Sequence, residues 1–132
     1  AQVVKEAGGD ALTIANSYTG IAVDAEKERF CLGHITGGLT GPAIKPLTQY
    51  AVWQVVSQVD LPVIASGGCG NALDAMEYLL MGARAIQIGT MALIQPDIFS
   101  TMIREMESFM ERKKLSSLKE WIGRLNEDHP RI

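Results

Sequence analysis

Three apolar runs constrain the fold of this chain more than any other feature of its sequence. They lie at residues 11–15, 61–66 and 83–89, and turn residues follow each of them. They lack the regular polar alternation of a half-exposed strand, so each is predicted to be a strand that is covered on both faces. Strands of this kind are typical of parallel sheets. The sequence therefore predicts an α/β fold with three parallel strands in sequential order.

Amphipathic helices are predicted between these strands. The first spans residues 42–59, with Pro42 in its first turn. The second follows Asn71, which is a good N-cap residue, and ends at Gly82. The apolar residues expected to face the sheet recur at helical spacing: Ile44, Leu47, Ala51, Val55 and Val59 in the first helix, and Leu73, Met76 and Leu80 in the second.

The two ends of the chain are also predicted to be helical. Residues 3–7 fit the end of a helix that stops at Gly8-Gly9, so we expect the chain to be part of something longer. After the third strand, an apolar stripe leads to a helix end at residues 112–114, and Ser117 and Glu120 have capping-box spacing for a last helix over 117–125. The stripe consists of Ile98, Phe99, Met102, Ile103, Met106, Phe109 and Met110.

Residues 18–35 form a connection longer than is usual between a strand and a helix. Ile21, Val23, Phe30 and Leu32 alternate around the charged segment 24–29, which predicts a small hairpin at the carboxyl end of the first strand. Long loops in compact domains are often functional.

Composition excludes several classes of function. The net charge of -3 and the pI near 5.3 give no basic surface for nucleic acid. No apolar run approaches the ~18 residues of a membrane span and no signal peptide is recognisable, so we expect a cytoplasmic protein. Cys31 and Cys69 have neither zinc-site nor disulfide spacing and are expected to be buried, reduced thiols, with no metal bound. His34 and His129 are expected in surface loops.

Glycine-rich turns follow the predicted strands at residues 37–42, 66–71 and 89–90, and all three should lie on one face of the sheet. Glycine lets backbone N–H groups approach an anion, and threonine adds a hydroxyl donor, so phosphate binding is favoured over tight turns alone. The residues expected to take part are Gly67, Gly68, Gly89, Thr40 and Thr90. A larger side chain at Gly68, as in Gly68→Val, is expected to obstruct the phosphate.

Asn16 and Ser17 close the first strand with side chains that could hold a planar polar ligand, but from the residues alone a helix cap or a turn pair is the simpler interpretation. Gln87 lies inside the third apolar run, where a barrel-interior residue bonded to a neighbour is the simpler interpretation.

Three segments resemble the carboxyl-terminal part of class 1 dihydroorotate dehydrogenases, and most closely those of class 1B. The segments are ITGGLTGPAIKP at 35–46, VIASGGCGNALDAMEYLLMGA at 63–83 and IQIGT at 86–90. The resemblance implies a TIM (β/α)8 barrel, of which residues 1–132 would be a partial barrel with the last three βα units. A complete barrel usually takes ~250 residues.

The resemblance implies a flavin site and a substrate site. FMN would be held by backbone and hydroxyl groups, while the pyrimidine would be held by two side chains. The residues so implied are Ala15, Thr40, Gly41, Gly67, Gly68, Gly89 and Thr90 for FMN, and Asn16 and Ser17 for the substrate.

The family's general base, its strand lysine and other asparagines have no counterpart in this chain, so no catalytic residue is assigned. In the family the base removes the C5 proton of dihydroorotate as the C6 hydride passes to the flavin, giving orotate for pyrimidine biosynthesis. The resemblance also implies a homodimer with an iron–sulfur, FAD-containing electron-transfer subunit. The alternatives are the flavin domain of a dihydropyrimidine dehydrogenase, and a non-catalytic barrel fragment that acts as an assembly piece.

Overall fold

A three-stranded parallel sheet organises the computed structural model, which describes residues 1–125. Its strands are β1 (Leu12–Ile14), β6 (Val63–Ser66) and β7 (Ala85–Gln87), in the spatial order β1-β6-β7. Both pairings are parallel. The predicted α/β class and the sequential parallel order are confirmed, and the sheet does not close into a barrel within residues 1–125. His129 lies outside the described residues.

Two helices connect the strands and pack on the sheet. Helix α2 (Lys45–Gln58) follows a 3-10 turn at Pro42–Ile44 and contacts β1 and β6. Helix α3 (Ala72–Leu80) contacts β7. The Asn71 side chain accepts a hydrogen bond from the backbone N–H of Asp74 at 3.0 Å, so the predicted cap is confirmed.

The predicted buried faces of these helices are confirmed in part, because Ile44, Val59 and Met76 are buried while Leu47 and Leu73 are not. Leu47 is 51% exposed and Leu73 is 57% exposed, whereas small or polar residues pack inward. Thr48 and Ala75 pack inward because their side chains are short enough for positions where the helix lies close to the sheet. The hydrophobic pattern of the sequence does not show how close the helix and the sheet are. The fully buried residues of the two helices include Thr48, Val52, Ala75, Met76, Tyr78 and Leu79.

Helices α2 and α3 cover one face of the sheet. Leu12 lies opposite Val63, and Ile14 lies opposite Ala65, which lies opposite Ile86. These residues share a face, on which Val63 and Ala65 are buried in the core. The opposite face carries Thr13, Ala85 and Gln87, which are exposed, and Ile64, which is half-buried. The expected burial of both faces is therefore wrong for Thr13, Ala85 and Gln87, because α2 and α3 pack on the other face.

The long connection after β1 forms the predicted hairpin in two stages. Strands β2 (Tyr18–Gly20) and β5 (Gly37–Leu39) form an outer antiparallel pair. Strands β3 (Val23–Asp24) and β4 (Arg29–Phe30) form an inner pair that closes around the charged turn. The alternating residues Ile21, Val23, Phe30 and Leu32 are all exposed, as is Cys31, which corrects its expected burial. These apolar side chains of the hairpin are therefore not part of the core.

Three further helices complete the described chain. Helix α1 (Gln2–Glu6) ends before Gly8, and helix α4 (Thr90–Ile94) follows β7. Helix α5 (Ile98–Lys113) ends at Lys114, as predicted. Only part of its apolar stripe faces the core: Ile98 and Met102 are buried, but Phe99 and Ile103 are exposed.

The predicted last helix over 117–125 is a 3-10 turn at Leu118–Glu120 followed by further turns. Ser117 caps Lys119, and the Glu120 carboxylate bonds the Ser116 hydroxyl, so the reciprocal capping box is not formed. The Trp121 Nε1–H donates to the Met76 carbonyl at 2.8 Å and fixes this segment against α3 instead. None of the helices within residues 1–125 is both long and apolar enough to cross a membrane.

Candidate functional site

One cleft contains every residue predicted to bind the cofactor or the substrate. It lies where β1, β6 and β7 end, and its volume is about 210 Å³. The cleft is lined by Ala15, Asn16, Ser17, Thr40, Gly41, Ile44, Ser66, Gly67, Gly68, Cys69, Gln87, Gly89 and Thr90. The structure thus brings together residues that are up to 75 positions apart (90 minus 15).

Four loops build the cleft because the parallel strands end at the same edge of the sheet. Residues 15–17 follow β1, residues 40–41 follow β5, residues 67–69 follow β6 and residues 89–90 come just after β7. The Ala15 N–H donates to the Ser66 carbonyl at 2.9 Å and extends the pairing of β1 with β6 into the cleft wall.

Strand β5 and the loop after it lie over the ends of the sheet strands. A Cβ atom at Gly38 would overlap the Ser17 side chain. Gly41 has φ +88 and a Cβ there would lie 3.5 Å from Thr90 Cγ2. The absence of a side chain at Gly38 therefore allows the hairpin to close on the end of β1.

The turn after β6, from Gly67 to Gly70, requires glycine for a different reason from the predicted one. Gly67 and Gly68 have φ +130 and φ +73, values that favour glycine. A Cβ at Gly68 would overlap Lys45 Cα and lie 2.5 Å from Lys45 N. The expectation that a side chain at Gly68 would simply obstruct the phosphate is therefore corrected. Such a side chain would collide with the first turn of α2.

Gly89 is the glycine of the cleft at which a side chain has free space. A Cβ there would meet no atom within 4 Å, and the φ of Gly89 is -106, which other residues can adopt. A substitution at Gly89 thus changes the space beside the cleft with little effect on packing.

Asn16 and Ser17 lie side by side in the lining of the cleft. The Ser17 N–H donates to Asn16 Oδ1 at 2.7 Å, and both residues are exposed. Residues 15–17 lie in irregular backbone that is neither a turn nor a helix start, so the predicted cap or turn is wrong, and a role for these side chains in holding a ligand stays a prediction.

The lining residues are uncharged, so any anion in the cleft would be stabilised by backbone N–H groups and hydroxyls. Burial raises the pKa of the Cys69 thiol to about 12, and its Sγ donates to the Asn71 carbonyl at 3.8 Å. Cys69 therefore stays protonated near neutral pH and is unsuited to act as a base.

Four lining residues were not predicted as ligands: Ile44, Ser66, Cys69 and Gln87. Ser66 and Cys69 lie within the glycine-rich turn at 66–71, and the other two lie two residues from the turns at 37–42 and 89–90, so proximity in sequence was an available signal. Gln87 is exposed on the uncovered face of the sheet, and its side chain makes no hydrogen bond within residues 1–125. The predicted bond to a barrel neighbour is therefore absent from the described part of the chain.

Comparison with known proteins identifies the relatives of this chain. A family model of dihydroorotate dehydrogenase matches residues 1–110. The chain is 44% identical over 125 residues to the dihydroorotate dehydrogenase B (NAD(+)) catalytic subunit of Citrifermentans bemidjiense, covering 95% of this chain and 41% of that protein. It is 41% identical over 129 residues to the subunit of the same name from Porphyromonas gingivalis, covering 98% and 42%.

The fold comparison agrees with the sequence comparison. The crystal structure of ligand-free type DHODH from Eimeria tenella matches with a TM-score of 0.77 and 26% identity, covering 98% of this chain and 35% of that one. The chain therefore spans about two fifths of the length of the curated relatives it matches.

Proposed function

The chain belongs to the dihydroorotate dehydrogenase family, and from this premise we propose that it forms the flavin-phosphate side of an enzyme that oxidises dihydroorotate to orotate in pyrimidine biosynthesis. One observation carries the proposal. The three glycine-rich turns singled out in the sequence line the same cleft, together with Asn16 and Ser17.

The cleft suits part of FMN. Its lining offers threonine hydroxyls and glycine backbone groups, which are the donors a phosphate accepts from. Its volume of about 210 Å³ is smaller than the ~300–1,000 Å³ of pockets that enclose a whole ligand. We propose that it holds the phosphate, and that regions present in the longer relatives enclose the flavin ring.

The roles of the residues follow from their positions. Gly67, Gly68, Gly89 and Thr90 would direct donors at the phosphate from the ends of β6 and β7. Gly41 and Thr40 would contact the flavin from the loop after β5. Ala15 would contact it through its backbone. FMN, when bound, would supply the acceptor for the hydride of dihydroorotate.

Asn16 and Ser17 would hold the pyrimidine. They offer an amide and a hydroxyl at the mouth of the cleft, next to the end of β1. Neutral groups that both donate and accept suit the alternating N–H and C=O groups of a pyrimidine ring. No residue of the cleft is a suitable base, so the C5 proton would be removed by a residue outside this chain.

For the longer protein we propose a cytoplasmic homodimer that transfers electrons to an iron–sulfur, FAD-containing subunit. The relatives are named catalytic subunits, which supports the existence of a partner subunit. Isolation of the longer protein from its host would test this. Fumarate-dependent turnover without a second subunit would contradict it.

A titration of the chain with FMN and with riboflavin, followed by flavin fluorescence, tests the phosphate site. Riboflavin lacks the phosphate, so it should bind at least about tenfold more weakly, given that hydrogen bonds to charged groups contribute ~1.5–3 kcal/mol. Gly89→Val should weaken the binding of FMN. The matched control is Gly33→Val in the hairpin, where a Cβ also meets no atom within 4 Å.

Equal binding of the two flavins would exclude a phosphate site. Orotate formation by the chain alone would contradict the proposal that the base lies outside this chain.

An assembly role is supported by a separate observation. Leu93 and Ile94 on α4 are 87% and 68% exposed, and β1 and β7 are the edges of the sheet within residues 1–125. Open edges and exposed apolar residues favour association. Sedimentation velocity would detect such association as an oligomer, whereas a stable monomer would exclude an assembly role.

A further inference from the structure

We propose that Asp74 and Tyr78 are positioning residues of the cleft. Their side chains hold the Gly67–Gly70 turn from outside the cleft, so that the turn can bind a phosphate monoester. The inference rests on the proposed function only in the identity of the ligand. Neither side chain lines the cleft, so both would act through the turn.

Asp74 holds the far end of the turn. Its side chain is nearly buried, and Oδ2 accepts a hydrogen bond from the Gly70 N–H at 2.8 Å. Its other oxygen, Oδ1, accepts from Lys45 Nζ at 2.5 Å. A carboxylate with both oxygens bonded in this way is restricted to one orientation, and so is the amide that it receives.

Tyr78 holds the near end of the turn. It lies one helical turn after Asp74 on α3 and is fully buried. Its hydroxyl donates to the Gly67 carbonyl at 2.7 Å. Burial raises the pKa of Tyr78 to about 12, so the phenol keeps its proton across the physiological pH range. One face of α3 therefore fixes both ends of a turn that glycine alone would leave free.

Lys45 links this arrangement to α2 and balances its charge. Its Nζ contacts Glu77 at 2.9 Å as well as Asp74, and Gln49 Nε2 donates to Glu77 at 2.7 Å. The neighbouring carboxylates raise the pKa of the lysine above its usual range. Lys45 is not among the lining residues, so its charge neutralises the two carboxylates behind the turn instead of meeting an anion in the cleft.

Tyr78→Phe and Asp74→Asn test the proposal in the whole chain. Each removes or weakens one bond to the turn, so FMN affinity should fall about fivefold, as expected for the loss of a hydrogen bond of ~1 kcal/mol. Riboflavin affinity should change less than about twofold, because riboflavin has no phosphate. The ratio of the two affinities separates positioning of the phosphate site from general destabilisation, which would lower both.

Matched substitutions elsewhere serve as controls. Tyr50→Phe removes the hydroxyl of an exposed tyrosine that accepts from Gln54, and Asp24→Asn alters an aspartate in the hairpin turn. Both should leave the FMN-to-riboflavin ratio unchanged. An unchanged ratio in Tyr78→Phe and Asp74→Asn, or equal losses for both flavins, would overturn the proposal.

Amide hydrogen exchange needs no ligand, and it measures how strongly the amides of the turn are protected by their hydrogen bonds. The Gly70 amide should exchange at least about tenfold faster in Asp74→Ala than in the parent chain, since the carboxylate is its acceptor. Unchanged exchange in a variant with native circular dichroism would overturn the proposal. If the parent chain does not bind FMN, the proposed function is contradicted, and the exchange rate alone decides whether Asp74 holds the turn.

Discussion

Gly68→Ala tests the structural role of the glycine-rich turn after β6. The substitution adds a single carbon, but at a position with φ +73 where that carbon would overlap Lys45 Cα and lie 2.5 Å from Lys45 N. Carbon atoms in van der Waals contact are normally ~3.5–4.0 Å apart. The turn or the first turn of α2 must therefore move by about 1 Å or more.

Two terms set the size of the effect. A left-handed conformation is about 1–2 kcal/mol less favourable for alanine than for glycine. Overpacking of a well-packed region destabilises by a further ~1–3 kcal/mol. The free energy of unfolding should thus fall by about 2–5 kcal/mol, a large part of the ~5–15 kcal/mol typical of small proteins.

Chemical denaturation with urea, followed by circular dichroism, measures this change directly. Gly89→Ala is the matched comparison, because its Cβ meets no atom within 4 Å. Its free energy of unfolding should stay within about 0.5 kcal/mol of the parent value. If Gly68→Ala were as stable as Gly89→Ala, the close approach of the turn to Lys45 would be refuted.

Three further predictions concern capping, thiol reactivity and pH. Asn71→Ala should lower the free energy of unfolding by about 1 kcal/mol in urea denaturation, because it removes the cap of α3; an unchanged midpoint would argue against the cap. An aromatic disulfide reagent should label exposed Cys31 at once and buried Cys69 only on unfolding, so rapid labelling of both thiols would contradict the burial of Cys69. Burial raises the pKa of Cys69 from 9.0 and of Tyr78 from 10.0, each to about 12, so both groups keep their protons in the folded chain at pH values where the unfolded chain loses them. Stability should therefore be full below about pH 9 and fall as the pH rises toward about 12, and a flat urea midpoint over this range would count against it.

The amino-acid sequence determined the periodic features of this protein. Apolar runs and helical spacing predicted the three parallel strands and α2, α3 and α5, because buried faces impose those periods on any chain. The glycine-rich turns identified the edge of the sheet at which a site could form, since parallel strands place their carboxyl ends together.

Only the tertiary structure decided which side chains support that site. Lys45 bonds to Asp74 from 29 residues away, and the Tyr78 hydroxyl bonds to Gly67 from 11 residues away. No pattern along the chain marks such pairs, since they depend on how closely α2 and α3 approach the same turn. The same closeness explains why Leu47 is exposed while Thr48 is buried, and why Gly68 is required by packing. Distances between helices and strands are set only when the chain packs, whereas the spacing of apolar residues in the sequence predicts each helix or strand by itself.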